Sequence, residues 1–416
     1  MPFNEKARKS LNDFVTKARL ILEQDFLKQM QGTFAMDPTT GRVADLASLN
    51  YLSLSAYETA SNLREIFRHY KLQDSTATDK EVLRRILREQ TQTFLHRICA
   101  LRMAEVRGVF QESLANGMAS KALQNYSFIV NEALGDPYEK YAKYLKSLFD
   151  ELSGDLPQIF DRTEPFGLLF PSEQAFTELL NLINSMDKWC EDETIGWIFQ
   201  YFNNKEDFST MRGQKNKNPK NSHELAVRNQ FFTPRYVVEF LLDNTLGRLW
   251  TEEMHGTTKL VAQCKYLINC NPCGGRVESL RDPRTIKVLD PACGSMHFGL
   301  YAFDLLLTIY EEAWDWLHEE VGRKLDVRSE ASVTLAEVFS GRDKVAFLKE
   351  VPGLIIRHNI HGVDIDVRAT QIASLALWLR AQRAFQTRGI PGVKRPAIGA
   401  GNVVAALAPP CGEGCS

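Results

Sequence analysis

Apolar residues recur at helical spacing through the first two hundred residues of the chain. In one stretch they mark a single helix face, at Leu11, Phe14, Val15, Ala18 and Leu22. A second stretch repeats the spacing at Val82, Leu83, Ile86, Leu87, Phe94, Ile98 and Leu101. No alternation of period two persists here, so the pattern predicts a helical N-terminal domain over residues 1–202.

The segment 81–107 of this helical region is rich in arginine, with Arg84, Arg85, Arg88, Arg97, Arg102 and Arg107. Such a run is either a face that contacts phosphates or a solvated face balanced by acids. Because Glu81, Glu89 and Glu105 lie in the same segment, we favour the solvated face.

Residues 203–224 form the most polar stretch of the chain and contain almost nothing to bury. This composition predicts a flexible loop or linker between two domains. The lysine and arginine side chains of this stretch either contact a phosphate backbone or belong to an ordinary solvated loop. The two interpretations are equally well supported.

After residue 225 short apolar runs alternate with helical patterns. The run 286–289 ends in the loop Asp-Pro-Ala-Cys-Gly-Ser (residues 290–295), and an apolar helix follows. The run 359–364 ends in an acid and is followed by a second helix over 367–385. Strand, loop and helix in repeated order predict a parallel α/β sheet.

The charge composition of the chain gives no sign of general nucleic-acid binding. The 416 residues contain 50 Lys and Arg against 52 Asp and Glu, so the net charge of -2 provides no general attraction to nucleic acid. Any contact with a polyanion must come from a local basic patch.

The chain shows no signal-peptide pattern and no uncharged apolar run of membrane-spanning length. We therefore expect a cytoplasmic protein that makes no membrane contact.

The two predicted strand ends together resemble a nucleoside-binding crevice. Small residues at Ala292, Gly294 and Ser295 allow a ligand to approach the backbone, and Asp364 is placed to hold the hydroxyls of a ribose. The glycine triplet of dinucleotide sites is absent, which argues against a nicotinamide-dependent oxidoreductase, the rival enzyme class.

The loop at 290–295 resembles motif I of the amino-methyltransferases that modify adenine in DNA and bind S-adenosylmethionine. Asn-Gln-Phe-Phe-Thr-Pro-Arg-Tyr-Val-Val (229–238) resembles their motif X, and Gly-Val-Asp-Ile-Asp (362–366) resembles the motif that binds the ribose. The cofactor-binding residues that this resemblance implies are Phe232, Thr233, Pro234, Asp290, Ala292, Gly294, Asp364 and Ile365.

The resemblance also implies individual roles. Asp290 would meet the amino group of the methionine part and Thr233 its carboxylate, while Asp364 would bind the ribose and Ile365 would pack on the adenine. Residue chemistry adds that Thr233 suits an N-cap with Pro234 at the first helical position. Asp366 suits the N-cap of the next helix.

Three longer stretches, at 192–203, 241–250 and 290–304, resemble the large methyltransferases of BREX phage-defence systems, the PglX family. This implies a bacterial or archaeal protein that methylates an adenine amine in double-stranded DNA, with other BREX proteins as partners. The implied fold is α/β, a helical N-terminal domain followed by the first part of a Rossmann-like S-adenosylmethionine-dependent methyltransferase domain at 225–416.

The sequence departs from that family at the catalytic motif, Asn/Asp/Ser-Pro-Pro followed by an aromatic residue. The two Asn-Pro pairs, at 218–219 and 271–272, lack a second proline, and Pro409-Pro410 lacks the flanking residues. We therefore name no catalytic residue and expect a C-terminally truncated chain that is inactive alone. The alternative is a catalytically incomplete fragment that acts only as a cofactor- or partner-binding module.

Two further features have open interpretations. Met296 replaces the small residue found in many methyltransferases, and it either fills part of the methionine pocket or simply packs. Cys264, Cys270 and Cys273 with His255 resemble a zinc site only weakly, so we favour free thiols and expect no metal.

Overall fold

The chain forms two compact units, residues 3–202 and residues 203–416. The structure, a computed structural model, describes residues 5–130, 135–202, 233–268, 277–319, 325–326, 343–399 and 401–406. The predicted linker at 203–224 lies outside the described residues.

The first unit is built from helices, as its apolar periodicity predicts. They are α1 (Glu5–Gly32), α2 (Leu54–Gln73), α3 (Asp79–Val106), α4 (Lys121–Val130), α5 (Pro137–Ser153), α6 (Pro157–Phe160), α7 (Glu173–Ser185) and α8 (Thr194–Phe202). The apolar repeat of α1 is buried along its whole length. A capping box between Thr78 and Glu81 satisfies the first free N–H groups of α3 and fixes where that helix begins.

The arginines of α3 differ from the prediction. Arg84 and Arg85 are exposed, but Arg97 and Arg107 are only 2% and 1% exposed. The Arg97 guanidinium donates to the carbonyl oxygens of Ile159 (2.6 Å), Asp161 (2.7 Å) and Gly167 (2.9 Å). The solvated face is wrong for these two residues because a guanidinium has five N–H donors and here satisfies buried carbonyls.

The second unit combines helices with short parallel strands. Its helices are α9 (Arg235–Leu242), α10 (Arg248–Glu253), α11 (Leu260–Gln263), α12 (His297–Glu319), α13 (Lys344–Leu354) and α14 (Val367–Thr387). Its strands are β1 (Leu280–Arg281), β2 (Val288–Asp290), β3 (Leu325–Asp326), β4 (Ile360–Asp364) and β5 (Asn402–Ala405). One-turn π-helices at Asp243–Gly247 and Ile355–Asn359 follow α9 and α13.

The main sheet has the order β2–β4–β5, and all three strands are parallel. The connection from β2 to β4 contains α12, β3 and α13, and α14 connects β4 to β5. The sheet face that carries Ile360 and Val403 is buried, whereas Leu289 and Val404 on the other face are 62% and 57% exposed. The predicted parallel α/β arrangement is thus confirmed for the described residues, and β1 pairs separately with β3.

A buried acid on α12 holds the preceding segment in place. Glu312 is 6% exposed and accepts hydrogen bonds from Trp250 Nε1 (2.8 Å), Thr258 Oγ1 (2.6 Å) and the Lys259 N–H (2.6 Å). These bonds join α10 and the start of α11 to the helix that leaves the sheet.

Within the described residues, no helix has both the length and the apolarity to cross a bilayer.

Candidate cofactor-binding site

The two strand ends that the sequence singled out lie next to each other. Strand β2 ends at Asp290 and β4 ends at Asp364, and the parallel register pairs Asp290 with Gly362. The motif I loop (290–295) leads from the end of β2 toward α12 at this edge. The motif I loop and the acid after the next strand therefore share the carboxyl end of the sheet, where α/β proteins bind ligands.

Two backbone groups of the loop bond directly to the end of β4. The N–H of Cys293 donates to the carbonyl oxygen of Val363 at 3.0 Å. The N–H of Gly294 donates to Asp364 Oδ2 at 2.8 Å, across 70 residues of sequence. Gly294 has a φ of +50°, a conformation that favours glycine. The loop is therefore held against β4 by a bond to a side chain as well as one to the backbone.

Asp290 is the last residue of β2 and is half-buried. Its Oδ1 accepts a hydrogen bond from the N–H of Ala292 at 3.2 Å. Burial raises the pKa of the Asp290 carboxyl; the Ala292 bond opposes this rise, and the negative charge of Asp364 adds to it. Two carboxylates that repel each other favour a cationic group between them. The Ala292 side chain is exposed at the loop surface.

Asp364 has acceptor capacity beyond its protein contacts. Its Oδ1 accepts the N–H of Asp366 at 2.9 Å, and its Oδ2 accepts the N–H of Gly294. A carboxylate offers about four acceptor positions, so about two remain for hydroxyl groups. Asp364 and Ile365 are both half-buried. Asp364 therefore has the acceptor capacity that the two hydroxyl groups of a ribose require.

The helix that follows β4 is capped as predicted. Asp366 is the N-cap of α14, and its Oδ1 accepts the N–H of Arg368 at 2.9 Å. This bond confirms the role that residue chemistry indicated for Asp366. The cap fixes the direction in which the chain leaves Asp364 and Ile365.

The structure corrects the prediction for the start of α9. That helix begins at Arg235, its N-cap is Pro234, and no side chain makes a capping hydrogen bond. Thr233 is thus not the N-cap, because the chain enters the helix one residue later than the Thr-Pro pattern indicated. Phe232 lies outside the described residues.

A buried acid connects the end of α9 with α12. Asp243 is fully buried, and its carboxylate accepts hydrogen bonds from Tyr301 Oη (2.7 Å) and from the N–H of Tyr266 (2.9 Å). Thr233 and Pro234 therefore precede a helix that is attached to the same element as the motif I loop. Their contact with a cofactor stays a prediction.

One pair at the start of α12 was not anticipated. Ser295 Oγ lies 3.0 Å from Nε2 of His297. Burial lowers the pKa of the His297 imidazole to about 4, so the ring is neutral near pH 7. No sequence pattern marked this histidine.

Cys264 and Cys293 are both buried thiols. Burial raises the pKa of both the Cys264 and Cys293 thiols to about 12, which keeps them protonated. Cys270 and Cys273 lie outside the described residues. Within the part of the chain that the structure describes, no three His, Cys, Asp or Glu side chains are grouped to hold a metal ion.

Comparison with known proteins confirms the resemblance to the PglX family. The chain is 25% identical over 349 residues to the adenine-specific methyltransferase PglX of Lacticaseibacillus casei, covering 73% of this chain and 26% of that protein. It is 26% identical over 325 residues to the adenine-specific methyltransferase BrxX of Escherichia coli, covering 70% and 24%. The chain spans about a quarter of the length of these relatives.

No protein-family profile matches the chain. Among solved structures, the type IIL restriction-modification enzyme MmeI in complex with DNA matches with a TM-score of 0.40 and 16% identity, over 84% of this chain and 40% of that enzyme.

Proposed function

We propose that this chain carries the S-adenosylmethionine-binding part of an adenine-specific DNA methyltransferase that acts in phage defence. The observation that carries the proposal is the hydrogen bond between the Gly294 N–H and Asp364, which joins two cofactor motifs at one sheet edge. The similarity to adenine-specific methyltransferases supports the reaction class. In this proposal the sheet is the first part of a Rossmann-like domain.

Each side chain has a defined task in this proposal. Asp290 receives the ammonium group of the methionine part, because its carboxylate lies half-buried beside a second negative charge. Asp364 accepts the ribose hydroxyls, and Ile365 packs on the adenine. When bound, S-adenosylmethionine supplies the methyl group on its sulfonium sulfur.

The loop residues Phe232, Thr233, Pro234, Ala292 and Gly294 complete the proposed cofactor site. Ala292 and Gly294 keep the loop surface free of bulky side chains. Thr233 receives the carboxylate of the methionine part. The partners of the complete protein would be double-stranded DNA and other BREX proteins.

Methyl transfer needs groups that this sequence does not contain. The family motif that positions the adenine amine is absent from the 416 residues, so we expect cofactor binding without transfer by this chain. The alternative is a module that binds only cofactor or partners, and the missing motif favours it for the isolated chain.

Calorimetric titration of the chain tests the proposal. We expect saturable one-to-one binding of S-adenosylmethionine and S-adenosylhomocysteine and no binding of NAD. Asp364→Ala should weaken binding by about ten- to a hundredfold, the range for loss of charge-assisted hydrogen bonds. Asp343→Ala is the matched control, since it removes an acid that caps α13 through the N–H of Ala346.

Two outcomes separate the alternatives. Binding of NAD without response to S-adenosylmethionine would refute the proposal in favour of an oxidoreductase. Incorporation of a labelled methyl group into unmethylated double-stranded DNA by the chain alone would refute the expectation of inactivity while supporting the reaction class.

A further inference from the structure

Met296 adopts a backbone conformation that side chains disfavour. It lies between the motif I loop and α12, and its φ is +71°. Its N–H donates to the carbonyl oxygen of Cys293 at 2.7 Å, and its own carbonyl oxygen accepts the N–H of Leu300 at 2.9 Å. Met296 therefore both closes the loop and starts the helix. A residue with a Cβ stays in the left-handed region only where its surroundings hold it there.

The surroundings are a niche made by two glycines. The Met296 side chain is fully buried. A Cβ on Gly299 would lie 2.7 Å from Met296 Cγ and Cε, and a Cβ on Gly362 would lie 3.2 Å from Cε. Gly299 belongs to the first turn of α12 and Gly362 to β4. The thioether thus fills a space between helix and strand that exists because both residues lack side chains.

We propose that Met296 is a positioning residue that sets the distance between the motif I loop and β4, and through it the width of the cofactor crevice. This inference rests on the proposed function. Of the two open interpretations of Met296, it selects packing.

Three contacts within four residues link the niche to the crevice. The Cys293 N–H bonds to β4, the Gly294 N–H bonds to Asp364, and the Cys293 carbonyl oxygen accepts the N–H of Met296. Without the Met296 side chain in the niche, nothing would hold the turn at its positive φ. The Gly294 N–H would then leave Asp364, because the same short loop carries both groups.

A cycle of substitutions at two positions tests this geometry. Met296→Gly tolerates the positive φ but empties the niche, so we expect weaker S-adenosylmethionine binding by about tenfold. Gly299→Ala places a methyl group where the thioether lies, and we expect a similar loss. In the double variant the alanine methyl group occupies the emptied niche, and affinity should recover to within about threefold of the unsubstituted chain.

Amide hydrogen exchange of Gly294 in the absence of cofactor provides a second measurement. Both single variants should exchange faster at Gly294, and the double variant should not. Met254→Ala is the control, because Met254 is a buried methionine of the same unit with a φ of −87°. It should lower the melting temperature and leave both the affinity and Gly294 exchange unchanged.

The outcomes are distinct. If the unsubstituted chain binds no S-adenosylmethionine, the proposed function fails, and the exchange of Gly294 alone still tests the positioning. Tighter binding by Met296→Gly would mean that the side chain obstructs the crevice, which overturns the inference. A loss in the double variant equal to the sum of the two single losses would overturn it as well, because two residues that share one niche must couple. Should Met296→Gly fail to fold, Gly299→Ala keeps the methionine and tests the same niche.

Discussion

The Asp364→Asn substitution probes the bond that unites the two halves of the proposed cofactor site. The carboxylate accepts two backbone N–H groups, from Gly294 at 2.8 Å and from Asp366 at 2.9 Å. An asparagine keeps one acceptor oxygen but turns an NH₂ group toward the other N–H. One of the two donors therefore loses its partner, whichever way the amide is oriented.

The size of the effect follows from this geometry. A hydrogen bond to a charged acceptor contributes about 1.5–3 kcal/mol, and the half-buried position of Asp364 favours the lower end. About 1.4 kcal/mol corresponds to a factor of ten. Opening of the loop in the cofactor-free protein should therefore become about tenfold more frequent.

Hydrogen exchange at the Gly294 amide measures that opening directly. We expect about tenfold faster exchange at whichever of the Gly294 and Asp366 amides loses its acceptor, with exchange in the middle of α14 unchanged. The affinity for S-adenosylmethionine should fall by at least the same factor. Unchanged exchange at both the Gly294 and the Asp366 amides would refute the role of Asp364 in holding these two backbone groups, even if the affinity fell. Unchanged exchange and affinity together would refute both roles.

Three further substitutions test the charge of Asp290, the buried acid Glu312 and the buried Arg97. Asp290→Asn should raise the melting temperature of the cofactor-free chain at pH 7 and abolish S-adenosylmethionine binding. The raised pKa of Asp290 means that its contribution to stability is present in acid and is lost as the pH rises through that pKa. Glu312→Ala should destabilise the unit 203–416 by about 3 kcal/mol in urea, because it leaves three donors without an acceptor. Arg97→Met should destabilise the unit 3–202 by about 3 kcal/mol, because three carbonyl oxygens lose their donor.

Controls distinguish these effects from general damage. Asp290→Asn should lose its stabilising effect at acid pH, where the aspartate itself is protonated; a stabilisation independent of pH contradicts the proposed cause. Glu312→Gln retains one acceptor oxygen and should cost less than Glu312→Ala. Arg84→Met changes an exposed arginine of the same helix and should leave stability unchanged. Equal losses for Arg84 and Arg97 variants would contradict a buried structural role for Arg97.

The sequence contained enough local information to locate the elements of the site. Helical spacing predicted α1 and α3, and two apolar runs that end in small or acidic residues predicted β2 and β4. These predictions succeeded because periodicity and turn chemistry depend on neighbours within a few residues.

Local information failed where a residue's surroundings come from elsewhere in the chain. The arginines of α3 look alike in sequence, yet Arg97 is buried because carbonyl groups more than sixty residues away converge on it. Thr233 resembles an N-cap, but the helix begins after Pro234. The ψ of Pro234 is 139°, outside the helical range, so the helix starts at Arg235.

By itself the sequence determined which residues could form a cofactor site: the motif I loop, the acid after β4 and the cap at Asp366. Only the tertiary structure decided that Gly294 donates to Asp364 across 70 residues and that Gly299 and Gly362 make room for Met296. The physical reason is that hydrogen bonding and packing act between groups in space. The sheet register, and not the distance along the chain, brings those groups together.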